Sequence, residues 1–161
     1  MNSIAVPARR SRGFSLIELV IVVVILGVIG AIAIPRMSRG AAGATESGAI
    51  SDLAILRSAV ELYSAEHNGA FPALATFSDQ LTLYSDIDGN TNATKTAVYM
   101  YGPYIRAIPV QKAGPQRGNA TITGTQATAG AGWWYTAATG DVRINAGATD
   151  KDSNGTPWVN Y

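Results

Sequence analysis

Phe14 to Ile34 is an unbroken apolar stretch of 21 residues with a single charge, Glu18. A helix of that length, rising ~1.5 Å per residue, matches a hydrocarbon core of ~30 Å, so the stretch fits one membrane crossing. About 125 residues follow it, enough for one water-exposed domain with its own core. Arg9, Arg10 and Arg12 stand just before the run. The positive-inside bias therefore places the N-terminus in the cytoplasm and sends the remainder outward.

Two plain readings of such a run are a discarded signal and a permanent anchor. Ala31-Ile32-Ala33 offers an A-x-A cleavage sequence that would release a chain starting at Ile34, and the uncut chain would be a single-span anchored protein. Either would deliver an exported soluble or membrane-anchored ligand-binding domain. The apolar region from Leu19 to Ala33 is at the upper limit for a signal core, and neither reading gives Glu18 a task. A carboxylate at the bilayer centre costs about 2.5–3.5 kcal/mol on insertion scales, so an intramembrane acid is treated first as a functional site. An opposite charge within a few ångströms would restore its ionisation and give a directional contact.

Arg12-Gly13-Phe14-Ser15-Leu16-Ile17-Glu18-Leu19, a basic leader followed by Gly-Phe-Ser-Leu-Ile-Glu and an apolar run, resembles the N-terminus of type IV pilins and of type II secretion pseudopilins. The resemblance implies that a prepilin peptidase cuts between Gly13 and Phe14 and that the new amine of Phe14 is methylated. It further implies that Glu18 pairs with the Phe14 amine of a neighbouring subunit during filament assembly. Residues 1–13 are then a cytoplasmic leader, 14–35 a transmembrane assembly helix and 36–161 a globular domain. The implied partners are copies of the chain itself, the peptidase, the assembly machinery and the bacterial inner membrane. The implied location is single-pass in that membrane and, after assembly, a periplasmic pseudopilus or a cell-surface filament.

Gly27, Gly30 and Pro35 weaken the helix, by about 1 kcal/mol for each glycine and about 3 for the proline, so a break or an unwinding segment is expected there. Beyond it, 36–68 reads as an amphipathic helix with Ile50, Leu53, Leu56, Val60 and Tyr63 at three- and four-residue steps. Asn68-Gly69 followed by Phe71-Pro72 is a strong stop. A short helix is expected from Phe77 to Tyr84 with Thr76 or Ser78 as cap, and a short strand at Thr121 to Thr123. Trp133–Tyr135 and Val142–Ile144 flank Thr139-Gly140-Asp141 as a hairpin. The expected fold class is α+β: a long N-terminal helix packed on a small antiparallel sheet, the pilin-like plan.

The three leading arginines account for the net charge of +1, because nine basic residues face eleven acids from Phe14 onward. Without a polybasic tract, nucleic acid is not an expected partner. There are no cysteines, so no disulfide closes any loop. One histidine, His67, excludes a multi-histidine metal site, no serine lies in a nucleophile elbow, and no enzyme is expected. Asp150, Asp152 and Asn154, within Asp150-Lys151-Asp152-Ser153-Asn154-Gly155, have the D-x-D-x-N-G spacing of a calcium loop. Position twelve of that pattern is Tyr161 instead of a bidentate Glu, so a complete EF-hand is excluded. Major pseudopilins resemble this in carrying a calcium site near the C-terminus, which makes Ca2+ the candidate cofactor. The missing cysteines and the short acidic loop bring the plan nearest to a major pseudopilin of type II secretion, a structural subunit of the pseudopilus. A major or minor pilin of a type IV pilus is the alternative.

Overall fold

The computed structural model describes residues 13–161, and the side chains of all of these but 34–39. The leader with Arg9, Arg10 and Arg12 lies outside the described residues. Two compact units divide the chain, Met1–Gly40 and Ala41–Tyr161.

The first unit is the apolar part of helix α1, which is assigned over Leu16–Glu66. Leu16–Ala33 is long and apolar enough to cross a membrane, and none of it is buried within the chain. The break expected at Gly27, Gly30 and Pro35 is absent from the single chain, because the helix is assigned through all three. A proline forfeits one hydrogen bond, and neighbouring turns keep theirs; such interruptions are tolerated within apolar helices.

The second unit packs the rest of α1 against everything that follows. Ala49, Leu53, Leu56, Val60 and Tyr63 are buried at steps of three and four and form the core stripe. Ile50, expected in that stripe, is 38% exposed. Near this turn the Lys112 side chain comes within 3.1 Å of where a Cβ on Gly48 would lie, so small residues belong on the inner face there. The helix stops as the sequence implies. Asn68 takes a positive φ of 55° and Gly69 one of 83°. The Gly69 N–H returns to the Ser64 carbonyl at 2.8 Å, the long bond of a Schellman ending with Asn at its left-handed position.

A single 3-10 turn, Leu74–Thr76, runs straight into helix α2, Phe77–Thr82. Neither Thr76 nor Ser78 caps α2: Thr76 makes no side-chain cap bond, and the 3-10 turn leads the backbone in instead. Strands β1 (Tyr84–Ser85) and β2 (Thr91–Asn92) form a small antiparallel pair. The main sheet has three strands in the order β3 (Ile122–Thr123), β4 (Trp133–Thr136), β5 (Asp141–Ile144). β4 and β5 make the expected antiparallel hairpin, with Trp133 opposite Ile144 and Tyr135 opposite Val142. β3 runs parallel to β4, so the sheet is mixed rather than wholly antiparallel. β3 is only two residues long, so the short connection 124–132 suffices to carry the chain back to the starting end.

Along β4 and β5 burial alternates, with Trp133, Tyr135, Val142 and Ile144 facing inward. These four meet the α1 stripe, Phe77 and Leu81 of α2, and Trp158 in one core. The polar tips of its two largest fully buried side chains are paired. The Tyr135 hydroxyl donates to the Pro72 carbonyl at 2.7 Å and the Trp133 indole to the Pro109 carbonyl at 2.8 Å. His67 is buried, stacked on the Tyr63 ring at 3.8 Å, with its ring nitrogens 2.8 Å from the Tyr63 carbonyl and 3.1 Å from the Ser85 hydroxyl. It is a core residue that closes the end of α1. The α+β class is as the sequence implies.

Candidate assembly site

Gly13 and Phe14 precede the first helical residue, Leu16, and Phe14 is 85% exposed. Ser15 occupies the N-cap position and Glu18 lies three residues on. One carboxylate oxygen of Glu18 accepts the Ser15 main-chain N–H at 2.9 Å, and the Leu19 N–H closes the first turn onto the Ser15 carbonyl at 3.2 Å. This is the acidic half of a capping box: the carboxylate satisfies a donor that a helix start leaves without an intrahelical partner. Its negative charge also complements the positive end of the helix dipole. Glu18 thus has a place in the chain by itself, at the first turn of an apolar helix whose sides are uncovered.

The other candidate group is the loop after β5. Asp150 accepts the Gly147 N–H at 2.7 Å. One oxygen of Asp152 accepts the N–H groups of Asn154 and Thr156, at 2.9 and 2.7 Å, and the other accepts the Tyr161 hydroxyl at 2.7 Å. Those bonds, the Tyr161 hydroxyl foremost, hold the Asp152 carboxyl below its ordinary range and push the Tyr161 hydroxyl up. Asn154 is exposed.

Residues 8–34 match the family described as "Prokaryotic N-terminal methylation motif". The chain is also similar to curated proteins named "Type II secretion system core protein G". The one from Aeromonas hydrophila is 30% identical over 101 residues, 63% of this chain and 66% of that protein. For Pectobacterium carotovorum subsp. carotovorum the identity is 36% over 67 residues, 42% of this chain and 43% of that one. The Klebsiella pneumoniae protein is 32% identical over 101 residues, 63% of this chain and 68% of its own length. The chain belongs to the type II secretion system core protein G family. It spans less than two thirds of the Aeromonas hydrophila and Pectobacterium carotovorum proteins, 66% and 43% of their lengths. No solved structure matches it.

For a member of the core protein G family, the geometry places the pair Gly13 and Phe14 outside the helix, where no intrahelical bond holds the backbone between them. Glu18 sits one turn further on. Asp150, Asp152 and Asn154 do not converge in the same way. A calcium ion takes six to eight oxygens, often with a bidentate carboxylate. Here both Asp152 oxygens already accept protein donors. No group of three Asp, Glu, His or Cys able to hold a metal exists among the described residues. As arranged, these residues do not fit the ion that the sequence spacing suggests.

Sequence reasoning alone misses Ser15, although Ser15-x-x-Glu18 is a readable capping-box signature. It also misses Glu46 and Arg57, which reach from α1 to the C-terminal part of the chain. Their partners lie 85 to 107 residues away in sequence, so no local pattern announces them.

Proposed function

We propose that this protein is a structural subunit of a type II secretion pseudopilus that polymerises through Leu16–Ala33 to support protein secretion. The observation that carries this reading is an apolar helix with none of its spanning segment buried, opening on a capped carboxylate. Such a segment needs lipid or other copies of itself. Cleavage between Gly13 and Phe14 would create an amine beside the only acid of the run, and Glu18 would then set the axial step between copies by pairing with a neighbour's Phe14. Gly27, Gly30 and Pro35 mark where α1 is weakest and would unwind as helices bundle. The preceding arginines orient the N-terminus to the cytoplasm. The role is structural rather than catalytic, with the prepilin peptidase, the secretion machinery and further copies as partners.

Peptide mass spectrometry of the N-terminus, on protein from its native membrane, tests the reading. A methylated Phe14 terminus is the expected result. A terminus at Ile34 or an intact Met1 would overturn it. Deletion of the gene should then abolish secretion through the system without removing surface pili; the reverse outcome would assign the subunit to a type IV pilus.

A further inference from the structure

The loop from Gly147 to Tyr161 covers one end of the core, and its hydrogen bonds account for how it stays closed. Two α1 side chains reach it. Glu46 accepts the Ser153 N–H at 2.9 Å and the Ser153 hydroxyl at 2.5 Å. Arg57 donates from Nε to the Val142 carbonyl at 2.9 Å and from a terminal guanidinium nitrogen to the Tyr161 main-chain oxygen. Within the loop, the Tyr161 hydroxyl bonds Asp152 and the Trp158 N–H bonds the Asp150 carbonyl at 2.9 Å. Trp158 itself is buried in the core, tilted against Tyr161 at 5.6 Å.

Calcium would have to displace these donors. The cleft beside the loop, about 500 Å³, is lined by Glu46, Asp150 and Asp152 but also by Lys112, Arg117 and Lys151. The three cations there match the three acids, so the cleft carries no net negative charge to draw a divalent ion. Charge-assisted bonds from Ser153, Tyr161 and Arg57 are of the stronger kind and need no ion to complete them.

We infer that this loop is closed by a cation-independent latch, anchored on α1 by Glu46 and Arg57 and clasped internally by Asp152 and Tyr161. In this chain the latch takes the place that a metal or a disulfide would fill. It stands independently of the secretion reading, since it concerns how the domain holds its own loop. Lys151 is exposed and gives a direct readout, because trypsin cutting after it releases 152–161 only when the loop opens.

The experiment follows that release by mass spectrometry, using the full chain in detergent with millimolar calcium chloride or with a chelator. The wild-type rate should be the same in both. Tyr161→Phe and Glu46→Ala should each release the peptide about tenfold faster, again without regard to calcium. Slower cleavage of the wild type in calcium would overturn the latch, as would wild-type rates in both variants. Should Glu46→Ala unfold the chain, Ser153→Ala on the exposed loop removes the hydroxyl donor and leaves α1 intact. It should accelerate release in the same calcium-independent way, and an unchanged rate would count against the Glu46 anchor.

Discussion

The carboxylate of Glu18 accepts the main-chain N–H of Ser15 at 2.9 Å, so the one acid of the apolar run caps its own helix. The same side chain is the one that, in the proposed assembly, would offer its charge to a neighbour. Glu18→Gln separates the cap from the charge, since glutamine at this position still accepts the N-cap N–H but carries no charge.

If pairing with a neighbour's amine drives assembly, Glu18→Gln and Glu18→Ala should both lower filament yield by about tenfold or more, with N-terminal processing unchanged. Sedimentation of cross-linked filaments, beside peptide mass spectrometry of the terminus, reads both quantities. Normal filaments from Glu18→Gln would leave only the cap.

Gly140 adopts a φ of 71°, and a Cβ there would lie 2.4 Å from the Phe71 ring. Gly140→Ala thus meets an unfavourable backbone and a steric clash together, and should lower stability by about 2–4 kcal/mol. Thermal unfolding measures it. Phe71→Leu in the same chain should recover part of the loss, because it removes ring atoms from the contact.

Gln111 is fully buried, and neither its side-chain oxygen nor its nitrogen has a protein partner. Asn145, equally buried, donates to the Thr128 and Ala131 carbonyls, both at 2.7 Å. Replacing an unpartnered amide by an apolar group of similar shape is near neutral, while removing a bonded one strands its acceptors. Gln111→Met should change stability by less than about 1 kcal/mol, and Asn145→Leu should cost about 1–3. Chemical denaturation of the two variants checks the contrast.

Asp86 closes the β1–β2 turn by accepting the Asp88 and Asn90 N–H groups at 3.0 and 2.9 Å and the Asn90 side-chain amide at 2.9 Å. The Asn90 side chain first, and then the main-chain donors, hold its carboxyl below the ordinary 3.8. A carboxyl lowered on folding adds stability above its unfolded value and loses it as pH falls through the lower folded value. The turn should therefore stay closed at neutral pH and open only below about pH 4. An NMR titration that places the Asp86 carboxyl at or above 3.8 would contradict the turn geometry.

The parts of this molecule legible in its sequence are those written in neighbouring residues. The apolar run, the Asn68-Gly69 stop and the Trp133–Ile144 hairpin follow from period, punctuation and turn chemistry. The stripe on α1 is legible to within one residue. Ile50 looks more like core than Ala49, yet the helix turns Ala49 inward and leaves Ile50 38% exposed. The parallel pairing of β3 and the anchors Glu46 and Arg57 depend on residues far apart in the chain. The spacing at Asp150, Asp152 and Asn154 is legible locally, but which donors its oxygens accept, the Tyr161 hydroxyl among them, shows only in the folded loop.

The uncovered apolar stretch, 18 residues with none buried, limits where a solitary copy can exist. Water excludes it, so unassembled copies form a reservoir confined to the bilayer plane and meet one another by two-dimensional diffusion. A copy leaving that plane must exchange lipid for neighbouring helices in a single move. A filament built from such copies, as proposed, would therefore gain them at its membrane end.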